Sequence, residues 1–147
     1  MSIAHELAWA AGFFDGEGYI NIQRRHQKFN GKSYRGHYLR IGINHVAPGP
    51  LYEMQRLFGG SIEVQNPLTV TGNRKPRHRW VTSSNNAKEA LIKMLPYMKN
   101  KNKVASLGID FQVKCLGNIN NRPRITNENL ELREWYKVEI SRLNSLD

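Results

Sequence analysis

The sequence predicts an α+β fold: an αββαββα core with a four-stranded antiparallel sheet, helices on one face of that sheet, and extra helices at the C-terminal end. Three observations lead there. Segments with a two-residue hydrophobic period occur in pairs around turn residues, the pattern of hairpins. Segments with helical spacing precede, separate and follow those pairs. The length of 147 residues suits one domain with its own core, so 1–147 is read as a single unit, with the core over about 4–115 and a helical extension over about 116–147.

The first helix is predicted over 4–15. Ala8, Ala11 and Gly12 fall at i, i+3 and i+4, a stripe with almost no side chain, along which a second helix can approach closely. The helix runs into Asp15-Gly16-Glu17-Gly18. Two acids there oppose the negative end of the helix dipole, at roughly 0.3–1 kcal/mol each. A bound cation would offset that, and a local rule broken in one place often marks a functional site.

From Tyr19 to Phe29 the chain alternates, with Ile20 and Ile22 on one face and Tyr19, Asn21, Gln23 and Arg25 on the other. Asn30-Gly31 signals a turn, and the hairpin tip is expected over Asn30 to Tyr34. Residues 36–46 alternate again, Leu39, Ile41 and Ile43 inward, Tyr38, Arg40, Gly42 and Asn44 outward. Pro48-Gly-Pro50 breaks the strand, and Leu51, Met54, Leu57 and Phe58 mark a helix that Gly59-Gly60 ends.

A second hairpin follows. Ser61 to Val70 places Ile62 and Val64 inward and Gln65 outward, with Pro67 making it short or an edge strand. The return strand, Arg77 to Ser83, sets Trp80 and Thr82 against Arg77 and Arg79. Asn86 with Glu89 suggests a capped helix start before Leu91, Met94, Leu95 and Met98. Val104, Leu107, Phe111 and Cys115 line a further helix. Leu132, Trp135, Tyr136, Ile140 and Leu143 form the stripe of the last, after Thr126.

Net charge is +10 and the pI near 10, which points to a polyanionic partner: nucleic acid first, an anionic membrane surface second. The charge is concentrated, because residues 19–83 hold eleven Lys or Arg and two acids, Glu53 and Glu63. No apolar run approaches the roughly 18 residues that span a bilayer. Met1-Ser-Ile-Ala-His-Glu lacks the pattern of a secretory signal, and Cys115 is the lone cysteine. An intracellular, reducing compartment fits these features, with no membrane and no small-molecule substrate expected.

The outward side chains Asn21, Gln23, Arg25, Tyr38, Arg40, Asn44, Gln65, Arg77 and Arg79 are the types that read base edges, and a β-ribbon fits a major groove. The loop cations Lys28, Lys32, Arg35, Arg74 and Lys75 suit phosphate contacts. A one-residue register slip would swap the two faces.

Ala10-Ala-Gly-Phe-Phe-Asp-Gly-Glu-Gly18 resembles the motif of the LAGLIDADG homing endonucleases, with Ala in place of the first Leu and Glu in place of the second Asp. The predicted element order is the core expected of that family. Pro96-Tyr-Met-Lys-Asn-Lys-Asn-Lys103 is similar to the Lys-rich segment of its single-motif dimers. The resemblance implies a site-specific double-strand DNA endonuclease, a homodimer on a long near-palindromic site. It implies Mg²⁺ as cofactor, with Mn²⁺ as a substitute and Ca²⁺ supporting binding without cleavage.

It further implies that Glu17 and the carbonyl of Gly16 hold the metal, two copies of Glu17 supplying two carboxylates, and that Asp15 is mainly structural. Ala8, Ala11 and Gly12 would form the dimer seam. Lys101 would stand near the reacting water with Lys99 and Lys103 on phosphates, and His45 would orient water or act as a weak base. The family's further basic residue near position 48 has no counterpart, because Pro48-Gly-Pro50 replaces that segment. An RNA-splicing maturase or a non-catalytic DNA-binding protein on the same fold would show the same sheet. A generic RNA-binding sheet would need stacking aromatics, for which only Tyr19 and Tyr38 are candidates.

Overall fold

Two hairpins join in one four-stranded antiparallel sheet of order β1-β2-β4-β3, formed by β1 (Gly18–Phe29), β2 (Lys32–His45), β3 (Ser61–Gln65) and β4 (Arg77–Ser83). The computed structural model describes residues 2–29, 31–65, 76–117 and 125–146. Arg74 and Lys75 lie outside the described residues, as do the side chains of Lys28, Lys32 and Arg35 and the expected strand end at 66–70. The helices are α1 (Ile3–Glu17), α2 (Gly49–Phe58), α3 (Ser84–Met94), α4 (Asn102–Phe111) and α5 (Asn127–Asn144). A 3₁₀ turn over Leu95–Tyr97 follows α3, and a π-helical turn over Gln112–Leu116 follows α4.

The alternation in the strands builds the core directly. Ile20, Ile22, Leu39, Ile41, Ile43 and Trp80 are buried on one sheet face against Phe14 of α1, Leu51 and Met54 of α2, Leu91 and Met94 of α3, and Phe111 of α4. Trp80 is seated by its indole N–H, which donates to the Gly59 carbonyl at 2.8 Å. The entry from α1 to β1 needs a glycine for space. A Cβ on Gly18 would lie 2.5 Å from the Phe14 ring and 2.6 Å from its main-chain oxygen.

Several expectations are corrected. The β1–β2 ladder runs to the pair Phe29↔Lys32, so Lys32 to Tyr34 belong to the strand and not to the longer tip expected over Asn30 to Tyr34. Val64 is exposed, because β3 is the outer strand and no helix covers its end. Asn86 is no cap: α3 starts after Ser83, and the Asn86 amide donates to the Phe58 carbonyl and to Thr82 Oγ1, tying α2 to β4. Leu132 and Trp135 face outward on α5, whose buried residues are Arg133, Tyr136 and Ile140.

The reason lies in what α5 covers. It runs along the free edge of β1, where Lys137 Nζ donates to the Ile22 carbonyl and Asn144 Nδ2 to the Ile20 carbonyl, both at 2.9 Å. Glu134 accepts from Arg24 Nε at 2.8 Å and meets His37 Nε2 at 2.7 Å. A polar helix face thus closes an edge strand that would otherwise present unpaired carbonyls.

Candidate active site and nucleic-acid interface

Three main-chain amides converge on Asp15 at the end of α1. Its carboxylate accepts from the N–H of Lys99 at 2.6 Å, Asn100 at 2.9 Å and Lys101 at 2.8 Å. These amides lead into the N-terminus of α4, where a carboxylate is favoured by the helix dipole. Burial pushes the Asp15 carboxyl up, but the three amides and the charge of Lys101 outweigh it and hold it below the usual carboxylate value. The connection is returned by the side chain, since Lys101 Nζ donates to the Asp15 carbonyl at 2.7 Å. That carbonyl belongs to the last helical turn, whose oxygens lack intrahelical partners. Lys101 is therefore half-buried against the negative end of α1.

Glu17 ends α1 two residues further on. It is exposed and has no hydrogen-bond or ion-pair partner among the described residues. Gly16 is exposed beside it, with its carbonyl in the same unpaired last turn. No group of three His, Cys, Asp or Glu suited to a cation occurs among the described residues. The donor set of one chain is thus one free carboxylate and a main-chain carbonyl. Both are hard oxygen ligands of the kind Mg²⁺ accepts, one or two carboxylates with phosphate and water completing its shell. They fit half of a site and not a closed cage.

His45 ends β2. Its Nδ1 accepts from the Ala47 N–H at 3.0 Å, and its ring meets the edge of Phe13, which stacks on Trp9 with centroids 5.5 Å apart. Phe13 lies one turn before Glu17 on α1, so these contacts bring His45 to the flank of the helix that carries the free acid. Lys99 and Lys103 are exposed on either side of Lys101.

The small-residue seam needs one correction. Ala8 and Gly12 are exposed, but Ala11 is fully buried in the chain's own core, because at i+3 it turns toward the sheet with Ala10 and Phe14. The exposed small positions are instead Ala8, Gly12 and Gly16, at i, i+4 and i+8. A Cβ on Gly12 or Gly16 would meet nothing within 4 Å among the described residues packed around the helix.

The sheet face away from the helices carries the predicted polar residues in register: Asn21↔Arg40, Gln23↔Tyr38 and Arg25↔Gly36 across β1 and β2, Asn44↔Arg79 across β2 and β4, and Gln65↔Arg77 across β3 and β4. They form linked groups. Gln23 Nε2 donates to Asn21 Oδ1 at 2.9 Å. Arg79 Nε donates to Asn44 Oδ1 at 3.0 Å and its guanidinium lies 3.6 Å from Glu63. The Arg25 guanidinium lies over the Tyr38 ring, 5.0 Å from its centroid. Burial lowers the Arg40 guanidinium, but the hydroxyls of Tyr19 and Tyr38 beside it raise it above its ordinary value.

Two members of this face, Tyr19 and Glu63, were placed outward by alternation but not counted among the base readers. Glu63 is an acid among cations, directly opposite Arg79. Tyr19 is directly opposite Gly42.

This is the fold of the LAGLIDADG homing endonucleases: an open four-stranded antiparallel sheet under helices, with the motif helix leading into the first strand. Three solved structures illustrate the likeness. I-CvuI, described as a homing endonuclease in complex with its target in the presence of calcium, superposes with a TM-score of 0.71 at 20% identity, over 95% of this chain and 82% of its own. I-Vdi141I, an archaeal intron-encoded homing endonuclease complexed with DNA, gives 0.69 at 14% identity, over 97% and 86%. The meganuclease I-SmaMI bound to uncleavable DNA gives 0.61 at 17% identity, with 89% of this chain matching 43% of that one. No family model matches the sequence, and no curated protein matches it.

Proposed function

We propose that the chain is a site-specific double-strand DNA endonuclease that acts as a homodimer with a divalent metal on a long, near-palindromic site. The observation that carries this is the end of α1: a carboxylate, Glu17, exposed two residues beyond Asp15, whose carbonyl holds the Lys101 ammonium. A structural role does not account for Glu17, which has no partner among the described residues. The breadth of the matches supports two copies, since this chain matches most of I-CvuI but under half of I-SmaMI. The exposed stripe Ala8, Gly12 and Gly16 is the surface along which two α1 helices would pair.

Paired helices would set two Glu17 carboxylates and two Gly16 carbonyls side by side, a donor set for Mg²⁺. When bound, such a metal lowers the pKa of a water and neutralises charge on the phosphate and leaving oxygen. Lys101, held through its link to Asp15, would offer a fixed cation to the charge that develops on phosphorus. His45 would hold a water through Nε2, since Nδ1 is engaged by the Ala47 amide. Asn21, Gln23, Arg25, Tyr38, Arg40, Asn44, Gln65, Arg77 and Arg79 would read bases. Lys28, Lys32, Arg35, Arg74, Lys75, Lys99 and Lys103 would hold phosphates.

The test is Glu17→Gln. The variant is expected to bind a target selected from a random duplex library with unchanged affinity in Ca²⁺ and to lose cutting in Mg²⁺. Undiminished cutting removes Glu17 from the metal site. A wild-type protein that binds its target without cutting points to a non-catalytic binder.

A further inference from the structure

The arginines of the open sheet face are held in different ways. Arg79 lies 3.6 Å from the Glu63 carboxylate, so its charge is partly spent within the protein. Arg40 has two tyrosine hydroxyls beside it and no ion pair among the described residues, so its charge is left for an outside partner. Tyr38 is engaged at both ends, with Arg25 over its ring and Arg40 beside its hydroxyl.

Tyr19 reaches Arg40 because of residue 42. Tyr19 and Gly42 are directly opposed in the ladder, and Arg40 is the next residue of β2 on the same face. A Cβ on Gly42 would stand 2.5 Å from the Tyr19 hydroxyl oxygen and 2.7 Å from the ring carbon that bears it. The phenol therefore lies flat across β2 in space that any other residue at 42 would fill. A glycine in a central strand weakens it and loses packing, so its presence marks a close approach. Here two groups approach, the Tyr19 phenol beside Arg40 and the main-chain oxygen of Trp80, which a Cβ would meet at 2.6 Å.

We propose that Tyr19 and Gly42 are positioning residues for Arg40: Gly42 leaves the space in which Tyr19 lies, and Tyr19 with Tyr38 presets the Arg40 guanidinium to read one guanine per half-site. This rests on the DNA-binding reading of the sheet. Both phenolic hydroxyls lie beside the guanidinium, whose N–H groups remain for the O6 and N7 acceptors of guanine in the major groove. An arginine so held loses little side-chain freedom on binding, whereas a loose one must be ordered by the DNA. The consequence is sharp discrimination at one base pair and not merely added affinity.

The test compares wild type with Tyr19→Phe, which removes a hydroxyl and keeps the ring, by substituting every base pair of a selected half-site and measuring binding in Ca²⁺. Wild type should disfavour replacement of one G·C pair roughly tenfold or more. In Tyr19→Phe that preference should fall to a few-fold while the others stand. Gly42→Ala should reproduce the pattern, and Tyr19→Phe carries the test if Gly42→Ala misfolds. The arginine Nε–Hε NMR signals of the DNA-free protein give a second readout: that of Arg40 should be slow to exchange in wild type and lose protection in Tyr19→Phe.

An unchanged preference profile, or one flattened evenly at every position, overturns the proposal while leaving DNA binding intact. An Arg40 signal unprotected in wild type does the same. A wild-type protein that discriminates no base pair overturns the proposed function, and this role with it.

Discussion

Asp15 and Lys101 hold each other twice: the Lys101 amide donates to the Asp15 carboxylate at 2.8 Å, and the Lys101 ammonium donates to the Asp15 carbonyl at 2.7 Å. One bond fixes the turn, the other fixes the side chain, so the cation cannot drift from the end of α1. Replacing Lys101 with Met should leave the fold nearly as stable, with a loss of about 1 kcal/mol for one hydrogen bond. If Lys101 serves the cut phosphate, single-turnover cleavage should fall roughly 10²- to 10³-fold. Unfolding and cleavage measured on the same protein separate the two effects.

Asp15 itself predicts a stability effect with a defined pH dependence. Replacing it with Ala should cost about 1–2 kcal/mol at pH 7, in the range of a lost helix cap. Its folded pKa lies below the ordinary 3.8, so its contribution is complete above that value and vanishes as pH falls through the folded one. Urea unfolding of Asp15→Ala and wild type should therefore converge below pH 3.8.

Glu134 should behave likewise at the other end of the molecule. The hydrogen bond from Arg24 lowers its carboxyl against the effect of burial, His37 adds to the lowering, and the result is about 2 against an ordinary 4.5. Burial lowers His37 despite the pull of Glu134, so protonating His37 also favours the unfolded chain. Both shifts give stability that is present at neutral pH and lost on acidification, first as pH falls below the ordinary histidine value of 6.5 and then below 4.5. Glu134→Gln should cost about 1 kcal/mol at pH 7, discounted for partial exposure, and nearly nothing at pH 2. Thermal unfolding across that range measures it.

The proposed phosphate contacts predict a salt dependence. Seven side chains, Lys28, Lys32, Arg35, Arg74, Lys75, Lys99 and Lys103, give a slope of log K against log salt of about −6 per chain. A slope near −2 would place most of them away from the DNA. Fluorescence anisotropy over a salt series reads it directly.

Much of the sheet was legible because its information is local. Ile20, Ile22, Leu39, Ile41 and Ile43 report their face by alternation alone. Glu17 stood out because it breaks a helix-end rule. Ala11 was misplaced because small residues at i, i+3 and i+4 look alike in sequence, and only the packed sheet shows that i+3 turns inward. The tie between Asp15 and residues 99–101 spans 84 to 86 positions and uses main-chain amides, which no residue pattern records. The stripe on α5 misled only in part: Tyr136 and Ile140 are buried, but the same helix binds β1 through Glu134, Lys137 and Asn144, and Leu132 and Trp135 turn outward.

The same helix bears on how the sheet keeps its alignment. Lys137 and Asn144 grip carbonyls two residues apart on β1. A shift of β1 by one residue would carry both oxygens out of reach and turn Asn21, Gln23 and Arg25 into the core while bringing Ile20 and Ile22 to the surface. β2 holds β1 from one side and α5 from the other, so the strand is indexed twice. The C-terminal extension thereby acts as a ruler for a surface it does not itself form.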